Sequence, residues 1–412
     1  DDFTWAFDLQ TAINRAAPGD TLQLLPGRYG DPAPLAVSGT AGAPITLRGP
    51  DEGRAVLDGG RRFVHGRQAG IEPDDSDFAM LKLFCCAHIR FENLHFENAW
   101  PNAMFIRGAH HITLSGCSGV GGRYFVYARQ SDAFPTHHLT LEDCTWVQDP
   151  DHDMWTGRVA WDDIKSSAAF DASHLNGAFL GGFDIQGQII VRRCRVSHAF
   201  NAIRLDARES RMSSDLHSTR NRDVAIYDNN FSFIRDNAIE PETVAQNWRV
   251  FTNRFYGVHG VFSLDQVASR DLFYVGNWIL NDHRPGMFDP VTQASVQKAQ
   301  GGKIFKLFRP EPDKDPKPRA GLWSLFNSVQ TRTAYVKDGI TRHWLDAFTL
   351  LGLYPTEHPQ LEIEPRHPLK RLRWSDVQIK NMICDAVGFP TDYAPTAADL
   401  TGNYVTQVIA PV

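Results

Sequence analysis

Hydrophobic and polar positions alternate along this chain in short bursts, and one burst recurs: apolar, any, apolar, two residues of any kind, then Asn or Cys. It reads I-T-L-S-G-C ending at Cys117, L-T-L-E-D-C at Cys144, I-I-V-R-R-C at Cys194 and V-A-I-Y-D-N at Asn229. It continues as W-R-V-F-T-N at Asn253, L-F-Y-V-G-N at Asn277 and L-W-S-L-F-N at Asn327. Shorter versions end at Asn93 (I-R-F-E-N) and Asn381 (V-Q-I-K-N). Successive markers lie 24, 27, 50, 35, 24, 24, 50 and 54 residues apart, which fits a unit of one coil with some doubled or looped coils. The alternation has period two and is rich in β-branched and aromatic residues, so each unit predicts short strands separated by turns rather than a helical repeat. Stacked units of that kind make a parallel β-solenoid. Asn at a fixed turn suits a left-handed backbone, and its amide can bond to its equivalent one coil away.

The ends extend the same picture. Leu9, Ala12, Ile13 and Ala16 share one face of a short predicted helix, and Pro18-Gly19-Asp20 breaks it before a strand over Thr21–Leu25. Such a helix covers the first coil, whose strand edges would otherwise be sticky. The expected organisation is one domain over residues 1–412. A cap occupies 1–20, loop insertions 150–187 and 281–320, an irregular segment 338–376, and the last coil and tail 377–412.

Composition narrows the class. The 32 Gly and 24 Pro suit many turns, and 42% hydrophobic residues suffice for a core. The net charge of −6 argues against a nucleic-acid partner, while local arginine clusters can still hold an acidic ligand. No apolar run of about 20 residues offers a membrane span. The six cysteines, at 85, 86, 117, 144, 194 and 384, form no C-x-x-C pair. They read as buried reduced thiols, with Cys117, Cys144 and Cys194 as apolar members of the inward marker ladder.

A second repeat follows the markers. Asn201–Asp206 (N-A-I-R-L-D) matches Asn237–Glu242 (N-A-I-E-P-E), and Gly260–Asp265, Lys303–Phe308, Asn102–Arg107 and Tyr124–Arg129 fit the same frame. Strand alternation turns Ile203, Leu205, Ile239, Phe262, Leu264, Phe305 and Leu307 inward. One outward column then reads Phe105, Tyr127, Arg204, Glu240, Ser263, Lys306, and its neighbour Arg107, Arg129, Asp206, Glu242, Asp265, Phe308. Stacked carboxylates repel, so a cation is expected among them: either Arg204 and Lys306, or a metal.

The opening L-Q-T-A-I-N-R-A-A-P-G-D-T-L-Q-L-L-P-G-R-Y, followed by S-G-T-A-G-A-P-I-T-L-R-G, resembles secreted pectate-lyase-like right-handed parallel β-helix proteins, including alginate-lyase-like members. The resemblance spans roughly residues 5–335 and the coil at 377–381. It implies an all-β solenoid whose active cleft runs along the outward strip, in a secreted or periplasmic protein. The architecture hosts lyases, hydrolases, epimerases and depolymerases, so it does not fix the reaction.

The leading expectation is β-elimination on an acidic polysaccharide or oligosaccharide, in a monomer with no organic cofactor. The resemblance makes Arg204 or Lys306 the base, with His198, His259 and Glu240 as further acid–base candidates. Arg107, Tyr127, Arg129, Arg235, Asn237 and Tyr335 are candidates for binding sugar. Calcium on Asp206, Glu240, Glu242 and Asp265 would stabilise developing charge. His198, His259 and Arg235-Asp236 are expected at one shared turn position. Arg204 and Lys306 point outward, so replacing either should spare folding. Two alternatives stand: a glycoside hydrolase using carboxylates of the same strip, and a non-catalytic glycan-binding module. Asp149-Pro150-Asp151-His152-Asp153 is similar to the D-P-H-D segment of mannuronan epimerases, with one extra residue. Trp100, Trp155, Trp161 and Trp248 are candidates to stack on sugars or to fill the core. The G-V-G-G-R segment at 119–123 reads as a turn.

Overall fold

The structure, a computed structural model, describes residues 8–61, 78–131, 133–148, 176–207 and 220–281. Further along it describes the segments 303–307, 319–325, 327–331, 336–337, 343–346, 350–352, 377–380, 383–388 and 404–409. Side chains of 264–270 and of residues beyond 280 lie outside the description, Asn327 excepted.

Short strands follow one another around three faces, and each pairs in parallel with the strand one coil later. The first face carries Ala79–Phe84, Asn102–Arg107, Tyr124–Arg129, Ala178–Phe183 and Asn201–Asp206, then the first halves of Asn237–Phe251 and Gly260–Val275, then Lys303–Leu307. The second carries Ala87–Glu92, His110–Ser115, His137–Glu142, Gly187–Arg192 and Arg222–Tyr227, then the second halves of the same two long strands. The third runs from Gly27–Tyr29 through His95–Ala99, Arg195–Ala199 and Asn230–Ile234 to Tyr404–Ile409. Such ladders of parallel strands wound around one interior define a parallel β-helix, the fold class expected from the repeat.

The interior is a set of stacked columns. Ile89, Ile112, Leu139, Ile189, Val224, Trp248 and Leu272 are paired coil to coil and buried. Ile203, Leu205, Ile239 and Phe262 also point inward and are fully buried, as the alternation requires; Leu264, Phe305 and Leu307 fall outside the described side chains. Trp100 and Trp248 belong to the core, while Trp155 and Trp161 lie outside the described residues.

The marker ladder forms as expected. Oδ1 of Asn253 accepts from the Asn229 backbone N–H (3.1 Å) and Nδ2 (2.9 Å), and Asn253 Nδ2 donates to Ile226 O (2.9 Å) and Asn277 Oδ1 (3.0 Å). The pattern repeats from Asn277 to Asn327, and Asn229 Oδ1 accepts from the Cys194 N–H at 2.8 Å. Cys117, Cys144 and Cys194 are buried and free, stacked in the same ladder.

The stated reason for Asn needs correction. The left-handed residue is the one before the marker: Gly116, Asp143, Arg193, Asp228, Thr252 and Gly276 have φ between 53° and 64°, while the markers Asn229, Asn253 and Asn277 do not. Asn93 belongs to that preceding position, with φ 52°, and buried Leu94 takes the inward one. The marker Asn is selected for its amide alone.

At the start, Asp8 caps the helix Leu9–Arg15 by accepting from Thr11 N (2.7 Å), and Leu9 and Ile13 are buried over the first coil. Within the stretch taken as an insertion at 150–187, Ala178–Phe183 is a strand of the first face. Strands also form at His343–Asp346 and Leu350–Gly352, inside the stretch read as irregular. Of the segment 119–123 read as a turn, Gly119 and Val120 belong to the strand Ser118–Val120, and the chain bends at Gly121 and Gly122, with φ of 81° and 82°.

Candidate functional site

The outward strip of the first face keeps its predicted register, with one coil inserted. Lys82, Phe105, Tyr127, Gly181, Arg204, Glu240, Ser263 and Lys306 form one column; Phe84, Arg107, Arg129, Phe183, Asp206, Glu242 and Asp265 form the other. The inserted coil supplies Gly181 and Phe183. Gly181 is required because the ring of Tyr124 packs where its Cβ would stand.

The two ends of the strip differ in character. Near the first coils it is aromatic and largely closed: Phe105 and Tyr127 stack at 5.8 Å, the tilted rings of Tyr124 and Tyr127 lie 4.7 Å apart, and all three are buried. Tyr127, a candidate for binding sugar, is therefore covered by its neighbours. Arg107 and Arg129 are exposed beside it, directly paired on adjacent strands, and neither has an ion-pair partner among the described residues.

Further along, the strip becomes a buried charge cluster. Arg204 Nη2 donates to both oxygens of Glu242 (3.1 and 3.2 Å), Nη1 donates to Asn176 Oδ1 (2.9 Å), and Nε lies 3.4 Å from Glu240. Glu240 also accepts from Asn237 Nδ2 at 2.8 Å, and Asn237 N donates to Asn201 Oδ1 at 3.0 Å. Asp206 accepts from Thr243 Oγ1 at 2.5 Å. The side chains of Arg204, Glu240 and Glu242 are 24%, 5% and 16% exposed. Burial by itself would lower the Arg204 pKa, but Glu240 and Glu242 reverse that, and it is raised overall. Arg204 is thus a cation held between two carboxylates, embedded where outward orientation alone suggested a free side chain.

Arg204 also takes the place given to calcium between Glu240 and Glu242. Among the described residues, the only groups of three or more metal-ligating atoms within 4.8 Å of one another are histidines. Asp206, Glu240 and Glu242 do not form such a group among themselves. Asp265 is paired with Glu242 along the backbone; its side chain lies outside the description.

The turn candidates separate. Arg235 N donates to Ala199 O (2.7 Å) and His259 N to Ile234 O (2.9 Å), so Arg235 and His259 occupy equivalent positions one coil apart. His198 sits earlier in its turn, level with Phe233 and 4.8 Å from that ring, which removes it from the shared position. Arg235 is buried, and desolvation lowers its pKa to about 10 despite the charge of Asp236. It is therefore walled into the turn and is not an open sugar contact. Lys306 is level with Ser263 by backbone register, and Ser263 Oγ is buried without a partner among the described residues. Tyr335 and Asp149–Asp153 lie outside the described residues.

Sequence reasoning missed Asn176, which holds Arg204 and Asn201, and Thr243, which holds Asp206. Asn176 sits just before A-F-L-G-G-F, whose frame matches the neighbouring strands; the glycines disguised it.

No protein-family profile matches the chain, and no curated protein matches it in sequence. Solved structures do resemble it. A mannuronic acid specific polysaccharide family 6 lyase from human gut microbiota shares 12% identity over 97% of this chain and 88% of its own, with a TM-score of 0.45. A rhamnogalacturonan lyase shares 10% over 90% and 81% (0.47), and an endo-xylogalacturonan hydrolase from Aspergillus tubingensis 8% over 98% and 95% (0.48). The similar structures are carbohydrate-active enzymes of both lyase and hydrolase type.

Proposed function

We propose that this chain is a polysaccharide lyase that cleaves an acidic, uronate-containing glycan by β-elimination outside the cytoplasm. The observation that carries the reading is the row of arginines on the strip: exposed Arg107 and Arg129 on adjacent strands, with Arg204 further along. Strands about 4.8 Å apart space such cations like the carboxylates of a bound polyuronate. A neutral glycan offers these guanidinium groups only hydroxyl acceptors, whereas a uronate offers a charged, bidentate partner.

In elimination a base removes the proton on C5, the electrons left behind form the C4–C5 double bond, and the bond from C4 to the glycosidic oxygen breaks. The departing oxygen takes a proton, and no water is consumed. The C5 proton becomes acidic enough only if the charge growing on the adjacent carboxylate is neutralised. Arg204 supplies that charge, held in place by Glu242 and Asn176. Lys306, in the same column beyond Ser263, is assigned the base, with His259 as its rival.

The hydrolase reading has one observation in its favour, the closeness of Glu240 and Glu242 to one guanidinium. Both carboxylates are committed to Arg204, whereas acid–base hydrolysis requires one of them to carry and release a proton. The test is a panel of polyuronates and neutral glycans followed by near-ultraviolet absorbance. Absorbance should rise with at least one polyuronate and with no neutral glycan, and Arg107→Ala with Arg129→Ala should raise KM with a smaller effect on kcat. New reducing ends without absorbance would overturn the proposal.

A further inference from the structure

A cluster of histidines lies outside this site. His110-His111 and His137-His138 open two successive strands of the second face, and His88 is the second residue of the strand before them. His110 is paired with Ala87 on one side and with His137 on the other, so three successive coils deliver five imidazoles to one place. The rings of His111 and His138 stack at 4.1 Å, those of His88 and His111 at 4.5 Å, and those of His110 and His137 at 4.7 Å. Within each pair the Nδ1 atoms face each other, 2.8 Å apart in His110-His111 and 2.5 Å in His137-His138.

Backbone conformation explains part of this cluster. His88, His111 and His138 have φ of 57°, 55° and 52°, and the same position on later coils holds Gln188, Asp223 and Asn247 at 57°, 55° and 51°. His is tolerated in that region, as Asn and Asp are. The backbone does not explain His110 and His137, which have no positive φ and whose counterparts are Ala87, Gly187, Arg222 and Gln246. Nor does it explain why each of these two places a second Nδ1 against its neighbour's. One hydrogen can lie between two such nitrogens and occupies the acceptor's lone pair; a metal ion would replace that hydrogen, with each proton held on Nε2 instead.

The geometry points to a transition-metal site that takes one zinc-class divalent ion, built on His111 with either His88 and His110 or His137 and His138. The ligand nitrogens of each triad lie within 4.8 Å of one another, and His111 belongs to both, which limits this cluster to a single ion. Imidazole nitrogens without a carboxylate select zinc, nickel, cobalt or copper over calcium or magnesium, which demand oxygen. The ion would clip successive coils together. His110 follows Arg107 across only Gly108 and Ala109, so the clip would also steady the end of the glycan strip.

The test uses the untagged full chain, stripped with chelator and titrated with zinc chloride by calorimetry, with bound metal and Tm measured alongside. One equivalent should bind, Tm should rise, and excess calcium should not displace it. His111→Asn places at that position the residue the fold itself uses at Asn247, so folding is retained while affinity falls at least tenfold. His88→Asn combined with His138→Asn removes one ligand from each triad and should do the same. Absence of zinc binding by the wild type, or unchanged binding in both folded variants, would overturn the assignment.

Discussion

Replacing Arg204 by Ala is expected to cost stability as well as activity, and the size follows from what the guanidinium holds apart. Glu240 is 4% exposed, and with Arg204 gone it and Glu242 would lie two positions apart on one strand without the guanidinium between them. Breaking a buried ion pair by removing one partner typically costs about 3–5 kcal/mol. Arg204 is 24% exposed and Glu242 16%, so water recovers part of this, and about 2–3 kcal/mol is the expected loss. Urea unfolding followed by circular dichroism should show the midpoint fall at unchanged slope. Adding Glu240→Gln and Glu242→Gln to Arg204→Ala removes the repulsion and should restore most of the lost stability without restoring turnover. A loss below about 1 kcal/mol, with no recovery in the triple variant, would refute the view that the cluster is a buried charge network rather than a solvated ladder.

Two further outcomes follow from the fold. Asn253→Ala removes two donated and two accepted hydrogen bonds in a fully buried ladder, so a loss of about 3–5 kcal/mol is expected by chemical unfolding, and one below about 1 kcal/mol would contradict the amide-ladder account. Alkylation of the native protein followed by peptide mapping should label exposed Cys85 and spare Cys86, whose pKa burial pushes up to about 12, together with buried Cys117, Cys144 and Cys194; rapid labelling of Cys144 would contradict the stacked register.

The solenoid was readable because every coil repeats the same inward residues, and repetition exposes a pattern that one coil would hide. The Asn ladder, the buried thiols and the outward columns all follow from that period. What alternation cannot supply is distance across the strip. It gave Arg204 and Glu242 an outward direction, but not the short contacts that bury them together. It also missed the coil at Ala178–Phe183, because Gly181 and Gly182 replace the side chains that mark other strands. The histidine cluster escaped notice for a related reason. Each pair sits one step ahead of its marker motif, and only stacking of three coils brings the pairs together.

The most direct test of the central claim is the mass of the product released from a polyuronate in water enriched in oxygen-18. Elimination takes no oxygen from water, so the account predicts an unlabelled oligosaccharide one water lighter than the hydrolytic product, with an unsaturated terminal sugar. A saturated product carrying one oxygen-18 at its new reducing end would identify a hydrolase and contradict the account.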